Sequence, residues 1–167
     1  MALKSLASAV ALSLFLSGCL STVPDIESPH AGSVQTTQQV ANGIQSPTID
    51  SNGVLLTPWV RSAMMSAFAM RAAHLGLRID PNGVPVRIRI TSVRSKSDAA
   101  RIGFNFLDGA EWLSGTVTVG DASFDVQEDT WLYWMPTGYR SIQDVADAVG
   151  KQVANGVAMV GRMPLKD

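Results

Sequence analysis

An α+β fold, a two-layer sandwich of a three- or four-stranded antiparallel sheet with two helices on one face, is the architecture this sequence predicts. Three observations predict it. Two stretches carry apolar residues at helical spacing and lie at either end of the folded part. Between them run segments that alternate apolar and polar with period two. The short link Gly120-Asp121 favours a hairpin between two of these segments. Helices grouped at the two ends of an antiparallel sheet build two layers around one core.

The first element is a targeting segment. Lys4 gives a short basic n-region, and an apolar run from Leu6 to Leu16 follows. That run of about 11 residues is half of the roughly 20 needed to span a bilayer, and it suits a signal-peptide core. The tetrad Leu16-Ser17-Gly18-Cys19 resembles the lipobox of bacterial lipoproteins. The resemblance implies cleavage after residue 18 and acylation of Cys19, which removes the only thiol of the chain from redox or nucleophilic roles. Several acyl chains on one residue anchor durably, since each buried CH₂ contributes about 0.8 kcal/mol. Leu20 rather than Asp follows the cysteine. By resemblance to the enterobacterial sorting pattern, this implies the outer membrane.

Residues 19–53 read as the acylated cysteine and a flexible tether. Pro24, Pro29 and Pro47 interrupt a segment rich in Ser, Thr and Gln, with no sustained apolar period. A chain of roughly 34 residues spans some 30 Å on average. The folded domain then occupies residues 54–167, with no repeat and no second domain.

Thr57-Pro58 opens the first helix as N-cap and first-turn proline, and Gly76 closes it. Val60, Met64, Ala67, Phe68, Ala72 and Leu75 form its apolar stripe, and the methionines Met64, Met65 and Met70 read as core packing. Asp80-Pro81-Asn82-Gly83 is a turn. Strand one runs from Val84 to about Val93, with Val86, Ile88 and Ile90 alternating against Arg87, Arg89 and Thr91. Ile102, Phe104 and Phe106 alternate as a further strand, and Trp112–Val119 and Ala122–Gln127 form the hairpin. The last helix opens at Ser141 with Asp144 in a capping-box position. Ile142, Val145, Val149, Val153, Val157 and Val160 build its stripe.

These pieces together resemble the YajG-like lipoproteins of Gram-negative bacteria and, more loosely, outer-membrane lipoproteins with an LptE-like sandwich. The carrying residues are the lipobox, His74-Leu75-Gly76-Leu77, Pro81-Asn82-Gly83 leading into Val86-Arg87-Ile88-Arg89-Ile90, and Val145-Ala146-Asp147-Ala148-Val149. The resemblance implies a lipid-anchored periplasmic domain at the outer membrane and transfers no catalytic residue.

Composition narrows the function classes. With 13 Lys+Arg against 14 Asp+Glu, the net charge of −1 supports no general affinity for nucleic acid. One cysteine and two histidines exclude a multi-cysteine metal site and leave no metal or cofactor to expect. No nucleophile elbow, zinc-protease helix or phosphate-binding glycine loop occurs. His74 reads as a helix-terminal residue favourable to the dipole. Asp108, Glu111, Asp125, Glu128 and Asp129 form a conceivable paired-carboxylate cluster, but acids beside turns are usually solvated. The expectation is therefore a non-enzymatic protein.

Charge is segregated along the chain. Arg61 to Arg101 holds eight basic and two acidic residues, and Asp108 to Asp147 holds eight acidic and one basic. Arg87 and Arg89 are expected to pair across strands with Asp125 or Glu128. The competing reading is a basic patch of Arg87, Arg89, Arg94, Lys96 and Arg101 for phosphates or an acidic partner. The run Thr130-Trp131-Leu132-Tyr133-Trp134-Met135-Pro136 is the strongest aromatic feature. Strand parity turns Trp131 and Tyr133 outward, where they suit a sugar ring, a partner's pocket or a membrane interface, unless helix or loop folds over them.

The expectation is a binding or assembly module for an envelope protein complex, tethered at the periplasmic face of the outer membrane. Its contacts would be Arg87, Arg89, Thr116 and Thr118 on the outer sheet face together with Trp131 and Tyr133. A binder of a glycan or lipid head group through the same basic and aromatic face is the alternative.

Overall fold

The computed structural model describes residues 32–95, 110–130 and 141–165. Three helices and a four-stranded sheet follow one another as α1 (Val34–Asn42), β1 (Thr48–Asp50), α2 (Pro58–Leu75), β2 (Val86–Arg94), β3 (Trp112–Val119), β4 (Ala122–Asp129) and α3 (Ile142–Val160). The fold is α+β, with the helices packed on one face of the sheet, as its two periodicities predict.

The sheet order is β1-β2-β3-β4. β2, β3 and β4 are antiparallel neighbours, while β1 lies parallel to β2 with Thr48 opposite Arg87 and Asp50 opposite Arg89. The sheet is thus mixed at one edge. The fourth strand comes from residues read as tether, and the segment Ile102–Phe106 lies outside the described residues.

Within the described residues 32–53, the reading of a flexible tether is corrected by the same elements. α1 buries Thr36 and Val40, and Ile44 is fully buried. The backbone after α1 is stitched to the α2–β2 connection, with Ile44 N donating to Arg78 O at 2.9 Å and Gln45 N to Val84 O at 2.8 Å. Gly83 lies where any Cβ would strike the Gly43 backbone, so that crossing requires glycine. A composition poor in apolar residues still orders here because its few apolar groups reach a core built by other elements.

The hairpin turn clasps the start of α1. Ser33 Oγ caps the helix by accepting from Thr36 N at 3.2 Å. The Asp121 carboxylate accepts from Ser33 N at 3.2 Å and from the Thr36 hydroxyl. The Thr36 hydroxyl foremost, then Ser33, hold the Asp121 pKa below its ordinary value of 3.8. The clasp therefore contributes stability above that ordinary value and loses it as pH falls through the lowered folded value. In Asp121→Asn, hydrogen exchange of the α1 amides is expected to be faster at neutral pH and to lose its acid-dependent component. Unchanged exchange would mean that α1 is held by its apolar contacts alone.

α2 and α3 follow their sequence signals closely. Thr57 caps α2, Pro58 is its first residue, and Gly76 closes it at φ 76°. The buried residues of α2 are Val60, Met64, Ala67, Phe68, Ala72 and Leu75, the stripe read from spacing. The methionines divide, however: Met64 is core and Met70 is 61% exposed. α3 starts with Ser141 N donating to Asp144 Oδ2 at 2.7 Å. Its whole valine stripe is buried. The sheet contributes Val86, Ile88, Ile90, Leu113, Val117, Val119, Phe124 and Val126 from one face. Each fully buried side chain of this size contributes about 1.5–3 kcal/mol.

Candidate functional site

The opposite face of the sheet carries the polar half of each alternation, and no described helix covers it. β2 presents Arg87, Arg89 and Thr91, β3 presents Ser114, Thr116 and Thr118, and β4 presents Ser123, Asp125 and Gln127. The register sets these in rungs. Arg87 lies opposite Thr118 and then Ser123, and Arg89 lies opposite Thr116 and then Asp125.

A bulge between Ile90 and Ser92 changes the pattern toward the strand end. One extra residue lets both Thr91 and Ser92 reach the outer side. Thr91 Oγ1 lies 3.1 Å from Ser114 Oγ, and Trp112 Nε1 donates to Ser92 Oγ at 2.9 Å. The Arg94 guanidinium sits 5.2 Å from the centre of the Trp112 ring, a cation–π arrangement. The bulge shifts strand parity by one, so Trp112 and Arg94 stack on this face. No residue type in Val86–Arg94 announces that shift.

A shallow trough of about 400 Å³ follows the same face, lined by Thr91, Ser114, Thr116, Asp125 and Gln127 with the backbone of Gly115 and Val126. Its floor is hydroxyl-rich and its rim carries one carboxylate and one carboxamide. Such a lining offers hydrogen bonds to polar groups of either a protein or a sugar.

The expected ion pairs do not form. Asp125 Oδ1 accepts from Thr116 Oγ1 at 2.7 Å, and Arg89 Nη2 donates to Asn52 Oδ1 at 3.0 Å. The reason is topological: β3 separates β2 from β4, so Arg89 and Asp125 stand two strand spacings apart, about 9.6 Å. Glu128 is on the other side of the sheet, where its carboxylate accepts from Gln152 Nε2 at 2.8 Å. The acidic cluster is thereby divided. Asp125 faces outward, Glu128 meets a helix, Glu111 is 3% exposed, and Asp108 lies outside the described residues.

Of the candidate contacts, Arg87, Arg89, Thr116 and Thr118 stand together on this face as the alternation predicts. Trp131 and Tyr133 lie outside the described residues, as do Cys19, Lys96 and Arg101. Among the described residues no group of three or more His, Cys, Asp or Glu is placed to hold a metal ion. Likewise, no described helix is long and apolar enough to cross a membrane.

Sequence reasoning missed Gln152. This α3 side chain is 3% exposed. Its Oε1 accepts from Gln127 N at 3.3 Å, and its Nε2 donates to Gln127 O at 3.0 Å. The carboxamide thus takes the part of a neighbouring strand's peptide at one rung of the open β4 edge.

No family model matches the chain, and no curated protein matches it. Among solved structures, the chain is similar to the PelC dodecamer from Paraburkholderia phytofirmans, with 16% sequence identity, 77% of this chain and 93% of that chain covered, and a TM-score of 0.48.

Proposed function

We propose that this chain is a non-enzymatic lipoprotein held at the periplasmic face of the outer membrane by acyl chains on Cys19. Its domain acts there as a docking module for an envelope protein complex, through the outer face of the sheet, which no described helix covers. The observation that supports the reading is that face itself: Arg87, Arg89, Thr116 and Thr118 stand side by side on two regular, paired strands, with no described helix over them. A rigid sheet holds such side chains in fixed positions at little entropic cost on binding. With α1 starting at Val34, the link from Cys19 shortens to about 13 residues, at most ~45 Å of extended chain. The domain therefore works close to the membrane.

The test is site-specific crosslinking in the native envelope from Thr118→Cys carrying a bifunctional thiol reagent, with Cys19→Ala behind a cleavable signal as the unanchored control. The expected result is a discrete protein adduct formed by the anchored chain and lost in the control. Absence of any protein adduct from this face would overturn the docking reading. Saturable binding of a purified envelope glycan in the hydroxyl-lined trough would then favour the ligand-binding alternative.

A further inference from the structure

The three long strands of this outer face carry unlike columns: Arg87, Arg89 and Arg94 with Thr91 and Ser92 on β2, the small hydroxyl residues Thr118, Thr116 and Ser114 ending in Trp112 on β3, and Ser123, Asp125, Gln127 and Asp129 on β4. The register places opposite charges on the same rung, at equal distance on either side of β3. Arg89 and Asp125 share the Thr116 rung, and Arg94 and Asp129 share the Trp112 rung.

A two-fold axis running along β3, between two such faces, exchanges left for right and leaves the rung unchanged. It sets β2 of one copy over β4 of the other. We propose that a second copy of this chain covers the face in this way, with Arg89 of each copy lying over Asp125 of the other. The inference rests on the reading of this face as the docking surface and names its occupant.

Three features fit. Thr118, Thr116 and Ser114 lie on the axis itself, and small side chains there let the sheets approach to about 10 Å, the usual face-to-face spacing. Twisted sheets stack at about −30°, so the axis bisects the small angle between the two β3 strands, and the corners separate while the central rungs stay in contact. The Arg89–Asp125 rung is near the centre, and the trough beside Asp125 offers space for an incoming guanidinium. With β3 on the axis only β2, β3 and β4 overlap, a patch of about 14 Å by 26 Å, so roughly 750 Å² is covered in total, the size of a weak, reversible contact. A polar contact of that size depends on charge complementarity and weakens with salt.

The experiment is sedimentation of the full acylated chain in detergent at low and high ionic strength, beside Arg89→Glu, Asp125→Lys and their equimolar mixture. Both positions are exposed, and thermal unfolding verifies that each variant is folded. The wild type is expected to dimerise, and more weakly at high salt. Each single variant places two like-charged pairs across the axis, so dimerisation is expected to weaken at least tenfold. In the mixture, the carboxylate introduced by Arg89→Glu on one chain lies over the ammonium introduced by Asp125→Lys on the other, and the dimer returns. A monomeric wild type, or single variants that dimerise as the wild type does, overturns the inference. If the face crosslinks in the envelope to a protein other than this chain, the docking reading stands and the second copy is rejected. If it crosslinks to nothing, both fail.

Discussion

Gly150→Ala is expected to destabilise the domain by about 2–3 kcal/mol and to lower the midpoint of thermal unfolding by roughly 10 °C. Gly150 lies in the middle of α3, where a Cβ would overlap the Met64 carbonyl oxygen and lie 3.1 Å from the Ala67 Cβ. The obstacle is backbone of α2, which cannot turn aside as a side chain does. The two helices would have to separate, and with them the core residues Met64, Ala67, Val149 and Val153. Alanine in place of glycine favours an isolated helix by about 1 kcal/mol, so the substitution opposes local preference to tertiary packing. Gly156→Ala is the informative comparison. Its Cβ would meet the outer end of the Phe124 ring, a side chain that can shift where helix backbone cannot, and a smaller loss is expected. Thermal unfolding of both variants checks the pair. A neutral or stabilised Gly150→Ala would show that the helices do not approach as closely as this.

Gln152→Leu is expected to cost about 2 kcal/mol, although leucine has a similar volume and belongs more naturally in a core. The loss comes from what Gln152 leaves behind. The N–H and C=O of Gln127 lose their partner, and Glu128 loses a donor at 2.8 Å. Hydrogen exchange at the Gln127 amide is expected to accelerate in step with the loss of stability. Gln152→Glu is expected to be worse, because it removes both Nε2 donations and sets a second carboxylate beside Glu128. Denaturant unfolding with exchange at residue 127 measures both effects. If Gln152→Leu is neutral and the Gln127 amide stays protected, the carboxamide does not close the edge.

Most of the framework was legible in the chain. The α2 and α3 stripes, the Thr57-Pro58 and Gly76 termini, the Gly120-Asp121 hairpin and the Arg87/Arg89 alternation needed only spacing and turn chemistry. These features are local, because each arises within one turn or one strand pair. The short segment 33–50 escaped because neither α1 nor β1 has enough apolar residues to announce itself. Both are ordered by contacts with residues far along the chain, such as Asp121 with Ser33 and Arg87 with Thr48.

The candidate face shows the same division. Which side chains point outward follows from period two and was readable residue by residue. Which of them meet was not, because strand order and register are global properties. Placing β3 between β2 and β4 parted Arg89 from Asp125, and the bulge after Ile90 turned Arg94 onto Trp112. The α+β class, the core stripes and the polarity of the two sheet faces were all present in the chain, because short-range periodicity and turn residues encode them. The mixed edge, the Asp121 clasp, the role of Gln152 and the partners of each charge arose from tertiary contacts. Those depend on distances between elements that no local pattern records.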